Sequence, residues 1–142
     1  MAKLTVLSYQ CEEISEDIGS IVLKEVELSD PGPGEVRVRL KACAVNFPDL
    51  LMIQGKYQFK PPLPFAPGSE ATGDIEACGP ECDFKEGDKV IVNMRFGGFS
   101  EGVVVDQSQV RAIPEGMEYG PAASYQTAYL TAYVALYRRG HL

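Results

Sequence analysis

Gly34-Glu35-Val36-Arg37-Val38-Arg39-Leu40-Lys41-Ala42-Cys43-Ala44-Val45-Asn46-Phe47-Pro48-Asp49 is the stretch from which the rest of the chain can be read. Val36, Val38, Leu40 and Ala42 alternate with Arg37, Arg39, Lys41 and Cys43. A period of two sends alternate side chains to opposite faces of a strand, so Glu35 to Val45 is predicted to be a strand buried on one side only. Pro31-Gly32-Pro33-Gly34 ahead of it is a turn. Behind it, Asn46 can cap a helix, Pro48 sits where a first helical turn tolerates proline, and Gly55 can end the segment. One or two helical turns are expected between them.

Working outward, residues 4–9 and 21–28 read as strands, and Ala71–Cys78, Lys89–Met94, Gly102–Asp106 and Gln109–Ile113 as further short ones. Residues 60–67 hold four prolines and are expected to be an extended loop. Gly97-Gly98 marks a tight reversal. A helix is expected over 121–139, with Pro121 near its start, Arg138 and Arg139 in its last turn and Gly140 to stop it. Many short strands with one terminal helix imply a mainly β (α+β) domain, a small and partly open β-barrel with short helices.

At 142 residues the chain is long enough for one domain with its own core. The formal net charge of -7 disfavours a phosphate backbone as partner, so no nucleic acid is expected. No apolar run approaches the ~18 residues of a membrane span, and the N-terminus lacks the pattern of a secretory signal. The expected location is the cytoplasm. Cys11, Cys43, Cys78 and Cys82 are therefore read as free thiols. Cys78 and Cys82, separated by Gly-Pro-Glu, resemble half of a zinc site. With one histidine (His141) and no second cysteine pair, four ligands are hard to assemble.

Three stretches, in this order and at these spacings, resemble the medium-chain dehydrogenase/reductase superfamily: residues 34–49, Pro67-Gly68-Ser69-Glu70-Ala71-Thr72-Gly73, and Phe84-Lys85-Glu86-Gly87-Asp88-Lys89-Val90-Ile91. The resemblance covers essentially the whole chain. It implies a GroES-like substrate-side domain over 1–120 and, over 121–142, the start of a helix linking to a Rossmann domain. Zinc-dependent alcohol dehydrogenases place Cys where this chain has Asn46 and His where it has Ser69, and neither replacement is a good zinc ligand. A four-cysteine lobe is also absent, since Asn93-Met94-Arg95 runs straight into Phe96-Gly97-Gly98-Phe99. The chain thus resembles the zinc-free quinone oxidoreductase (zeta-crystallin-like) branch.

The resemblance implies an enzyme that transfers hydride from NADPH, rather than NADH, to a quinone or another conjugated carbonyl. It implies no zinc, a small-molecule substrate and a homo-oligomer, a dimer, in the intact form. Asn46, Ser69 and Thr131 (of Leu130-Thr131) are the expected cofactor-binding residues, and Tyr57 and Asp49 the candidate catalytic ones. Each has a plainer reading. Asn46 also suits a helix cap, Ser69 a turn hydroxyl, Asp49 a clamp on its loop, and Tyr57 an aromatic lining a cleft. Glu70 is a further candidate acid or base. In enoyl-reductase relatives a catalytic tyrosine lies nearer the asparagine, at the position matched by Leu51, which argues against a thioester substrate. Tyr125, Tyr129, Tyr133 and Tyr137 recur every four residues and are expected to pack in a core or at a domain junction. Ser124, Ala128, Thr131, Ala132 and Ala135 form a second, small-residue face.

No G-x-G-x-x-G or close variant occurs. The isolated chain is accordingly expected to be inactive alone, to expose strand edges and a former interface, and to self-associate or to be marginally stable. The competing function is a non-catalytic module that uses its barrel for interaction or self-assembly.

Overall fold

A computed structural model describes residues 4–142. Seven strands form, β1 (Leu4–Gln10), β2 (Val22–Leu28), β3 (Glu35–Cys43), β4 (Glu70–Cys78), β5 (Lys89–Asn93), β6 (Gly102–Asp106) and β7 (Val110–Ala112). Between β3 and β4 lies helix α1 (Phe47–Ile53), and after β7 comes helix α2 (Tyr119–Tyr133), which widens into a π-helical segment at Val134–Arg139. Short 3-10 turns occupy Ile18–Ser20 and Gln107–Gln109.

The long alternating segment is the centre of the molecule. β3 lies between β6 and β4 in a five-stranded antiparallel sheet of order β6-β3-β4-β5-β7. Its apolar face does what the alternation requires. Val36 and Val38 are fully buried with Ala71, Ile75, Val90, Val92, Val105 and Val110, while Arg37 and Arg39 turn outward to share Glu76 on β4. Gly73 faces β3 so closely that an added Cβ would stand 2.0 Å from the Arg39 carbonyl oxygen, and β3–β4 pairing shifts register in this region. β1 and β2 form a separate antiparallel hairpin. It is tied to the larger sheet by Tyr9 N–H to the Phe99 carbonyl (2.8 Å) and by reciprocal bonds between Cys11 and Phe65 (2.8 and 3.1 Å). The result is a wrapped, open sheet and not a closed barrel.

A second small core of Cys11, Met52, Ile53 and Phe65 fixes α1 against the proline-rich loop, with Tyr57, Phe59 and Phe96 half-buried around it. Helix α2 is seated by its first turns only. Ala122 and Ala123 are buried, the Tyr119 carbonyl accepts from the Thr72 hydroxyl (2.8 Å), and the Tyr119 hydroxyl bonds Asp74.

The strands all fall within one or two residues of their expected bounds; β7 loses one residue at each end, and a 3-10 turn precedes it. The tyrosine stripe does not pack in a core of this chain. Tyr129 is 71% exposed, and Tyr125, Tyr133 and Tyr137 are exposed too. Residues four apart drift about 40° round an α-helix, and beyond Thr127 the helix stands clear of the sheet with every residue exposed. Tyr133 and Tyr137 stack on each other instead, with centroids 5.1 Å apart. No helix among the described residues is long and apolar enough to cross a membrane.

Candidate functional site

The site begins where β3 ends. Asn46 has extended backbone (φ -113°, ψ 155°) and occupies the N-cap position of α1. Its backbone N–H donates to Asp49 Oδ2 (2.8 Å). Its side-chain amide donates elsewhere, to Glu70 Oε1 at 3.2 Å. Asp49 is buried, and its other oxygen, Oδ1, accepts from the Gly68 N–H (3.2 Å). One carboxylate thus binds the start of α1 to the Pro67-Gly68 turn. Gly68 holds φ +99°, a left-handed conformation suited to glycine, and a Cβ there would meet Phe99, Cys43 and Gly98 within 3 Å.

Glu70, only 1% exposed, is the hub. Beyond Asn46, its Oε2 accepts from both the N–H (3.0 Å) and the hydroxyl (2.7 Å) of Thr127 on α2. One residue earlier in the helix, Gln126 accepts from the Asn93 amide (2.9 Å), tying α2 to β5 as well as to β4. Two buried carboxyl groups therefore sit side by side, held by N–H and O–H donors. Burial raises the Asp49 carboxyl above its ordinary value, against the two backbone N–H bonds that lower it. The neighbouring Cys43 thiol is pushed up to about 12, first by burial and then by Asp49 and Glu70.

Against this network opens a cleft of about 640 Å³, lined by Tyr57, Phe59, Ser69, Met94, Arg95 and Thr127 among others. Phe59 stacks on Phe96 (6.1 Å), Phe96 meets Phe65 edge-on (6.1 Å), and the Arg95 guanidinium lies over Phe59 at 4.9 Å. The Ser69 carbonyl accepts from the Met94 N–H (2.9 Å). Among the described residues no hydrogen bond engages the Ser69 hydroxyl, which leaves it available to a ligand. Beside its apolar walls the cleft presents the Tyr57 phenol, the Ser69 hydroxyl, the Gln58 amide and the Arg95 guanidinium, a donor set that can orient a carbonyl oxygen, while the Thr127 hydroxyl is spent on Glu70.

Of the residues expected from sequence, Tyr57 and Ser69 line this cleft together. Asn46 and Asp49 are not among its lining residues and lie in the network beneath. Thr131 is exposed one turn beyond Thr127 and spends its hydroxyl on the Thr127 carbonyl (2.6 Å). Thr127, unassigned from sequence, holds the cleft position. A threonine four residues before Thr131 occupies nearly the same helix face, and that spacing was the available signal. Glu70 stood out only as a possible acid or base. Its bridging role joins residues 24 and 57 positions away, and no local pattern announces it.

A second cleft of about 590 Å³ lies beneath the β1–β2 hairpin, among Leu7, Tyr9, Leu23, Cys43, Val45 and Phe99. It is mainly aliphatic and touches neither Tyr57 nor Ser69. All four cysteines are free thiols, and among the described residues no group of three or more His, Cys, Asp or Glu could hold a metal ion.

Residues 32–115 match the alcohol dehydrogenase GroES-like domain family. The chain is 44% identical over 113 residues to human synaptic vesicle membrane protein VAT-1 homolog, covering 79% of this chain and 29% of that one. It is 37% identical over 133 residues to mouse quinone oxidoreductase-like protein 2, covering 93% and 37%. The crystal structure of a probable oxidoreductase from Mycobacterium abscessus superposes with a TM-score of 0.89 at 34% identity, over 98% of this chain and 45% of that one. The chain thus spans about a third of the curated relatives it matches, and less than half of this solved neighbour.

Proposed function

The chain belongs to the alcohol dehydrogenase GroES-like domain family, within the medium-chain oxidoreductases, and on that premise we propose that it is the substrate-side domain of a zinc-free reductase acting on a quinone or another conjugated carbonyl. The observation that carries this reading is the pairing of Tyr57 and the uncommitted Ser69 hydroxyl in one cleft whose floor is braced by the Asn46–Glu70–Thr127 network. In this reading residues 1–120 form the cleft wall and 121–142 begin the link to a nucleotide-binding half. The intact protein is a cytoplasmic homodimer that binds a small molecule.

The donors present fit a nicotinamide ring. Its carboxamide needs both a donor and an acceptor, and the Ser69 hydroxyl is each, with Thr127 across the cleft and Thr131 further out on α2. When bound, NADPH supplies the hydride. The remaining work falls to this chain's side chains. The Met94 and Phe59 walls exclude water, which strengthens hydrogen bonds within the cleft. Tyr57 donates a hydrogen bond to the acceptor oxygen as negative charge develops there. Asp49, with both oxygens committed to backbone N–H groups, holds the loop that positions Ser69 rather than moving a proton. Zinc does not fit the same position, because the Asn46 amide is engaged with Glu70 and a serine hydroxyl is a poor zinc donor.

The test is an NADPH fluorescence titration of the chain, with quinone-dependent oxidation followed in the same cuvette and zinc measured in the purified protein. Binding that weakens in Ser69→Ala and zinc-free protein support the reading. Stoichiometric zinc would overturn it. A second reading, a non-catalytic assembly module, is favoured by one observation. Val45 and Phe47 are 71% and 70% exposed beside the aliphatic cleft, a surface suited to another protein face. Concentration-dependent sedimentation with no NADPH binding would favour that alternative.

A further inference from the structure

We propose that Arg95 makes the cleft selective for acceptors that carry an anionic group, a carboxylate above all, beside the conjugated carbonyl. The inference rests on the cleft being the substrate site, and adds the substrate's charge to that reading.

Among the described residues, Arg95 is the only charged one lining the cleft. Its side chain is exposed, yet among the described residues no carboxylate is ion-paired with it. Lys60, Lys85, Lys89, Arg111, Arg138 and Arg139 also lack an ion pair among the described residues, but none of them lines this cleft. Lys24, Arg37, Arg39, Lys41 and Lys56 all have carboxylate partners. The guanidinium is always charged. In place of a carboxylate it has the Phe59 ring at 4.9 Å, and Phe59 is itself backed by Phe96. Stacking on a ring occupies a guanidinium's face and leaves its N–H edge free, and that edge is the one matching a carboxylate in a two-bond fork.

The protein as a whole carries a net charge of -7, which disfavours anions over its surface in general. An anionic substrate entering the cleft meets one unpaired positive group, fixed at the wall by an aromatic stack. Phe59, Tyr57 and Met94 offer flat and polarizable surface to a conjugated ring, while Ser69 and Tyr57 offer hydrogen bonds to its carbonyl. A planar acceptor with its carbonyl toward Ser69 and an acidic substituent toward Arg95 satisfies all of these groups at once. A neutral quinone leaves the guanidinium without a partner.

The experiment uses two redox-inert probes of the same shape, 2-naphthoate and 2-naphthamide. Each is titrated into the 142-residue chain and into Arg95→Gln at low salt, with binding and its location read from backbone amide shifts in NMR. Because Arg95 is exposed, the variant is expected to keep the dispersed spectrum of the parent. The expected result is that 2-naphthoate binds about tenfold more tightly than 2-naphthamide. Both probes should shift Tyr57, Ser69 and Thr127, and the preference should fall to parity in Arg95→Gln while 2-naphthamide affinity stays unchanged. Equal affinities for the two probes at the cleft, or a preference that survives Arg95→Gln, would overturn the role of Arg95 and leave the cleft standing. Shifts that map elsewhere, or no binding of either probe, would overturn the cleft itself.

Discussion

Glu70 on β4 and Thr127 on α2 are joined twice: one carboxylate oxygen accepts from both the backbone N–H and the hydroxyl of a residue 57 positions later. With the Asn46 amide on the other oxygen, a single buried side chain joins the loop after β3, the edge of the cleft and the protruding helix.

Glu70→Ala should therefore loosen all three. It leaves an amide and two Thr127 donors without an acceptor, and the expected loss is about 2–4 kcal/mol. Thr127→Val removes only the hydroxyl and should cost about 1 kcal/mol. Urea unfolding of both single variants and the double variant reads the coupling. Additive effects would mean that the two residues act independently.

Gly68→Ala is expected to destabilise the chain by about 3 kcal/mol, combining a left-handed backbone with overpacking. The new Cβ would lie 2.7 Å from Phe99 Cδ1 and 2.9 Å from Cys43 Sγ. Since the Gly68 N–H also donates to Asp49, the same change should displace Ser69 and alter ligand binding in the cleft. A lowered Tm together with weakened cleft binding is the expected pair of observations.

Acid should act through Glu76. Arg39, through its hydrogen bond, and then Arg37 hold the Glu76 carboxyl below its ordinary 4.5. A carboxyl with a lowered folded pKa contributes stability that is present above 4.5 and lost as pH falls through the lowered value. Glu76→Gln should cost about 0.5–1 kcal/mol near pH 7, solvent screening keeping the effect small. The difference from the parent should shrink as pH falls through the lowered value and the Glu76 carboxyl becomes neutral. Asp49 works in the opposite sense: its raised carboxyl weakens the fold as pH climbs through the raised value, so acid relieves that cost. Urea midpoints of parent and Glu76→Gln across the acid range separate the two.

Cys43, with its thiol pushed up to about 12, should resist alkylation at mildly alkaline pH. Only the thiolate reacts, so iodoacetamide labelling of Cys43 in the folded chain should be slower than in the unfolded chain by on the order of a hundredfold or more. Mass mapping of labelled peptides with and without urea gives the ratio. Equal rates in both would remove the case for a half-buried, carboxylate-flanked thiol.

Much of the fold is legible because its information is local. Val36 and Val38 against Arg37 and Arg39 name a strand and its buried face without reference to any other part of the chain. Asn46, Pro48 and Gly55 bracket α1 in the same way. The tyrosines of α2 do not reach the core of this chain for a related reason. Their spacing is helical, and a helix is what forms, but spacing carries no information on whether a sheet lies within reach. None of the four tyrosines meets one; the contacts of α2 with the sheet come from Tyr119, Ala122, Ala123, Gln126 and Thr127.

The candidate site is less legible. Ser69 was found by resemblance and Tyr57 as the phenol nearest the Asn46 loop in sequence, and the two do share a cleft. Thr127, Arg95 and the bridging role of Glu70 come from contacts between segments that are distant in sequence.

By itself, then, the sequence determined the strands, their buried faces, the turn glycines and the family. These depend on backbone periodicity and steric freedom, which are properties of a few neighbouring residues. Only the tertiary structure decided that Glu70 holds Thr127, that Arg95 lies on Phe59 without a carboxylate partner, and that the tyrosine stripe faces outward. A hydrogen bond or a ring stack forms within a few ångströms of space, and which residues come that close depends on how whole sheets and helices pack.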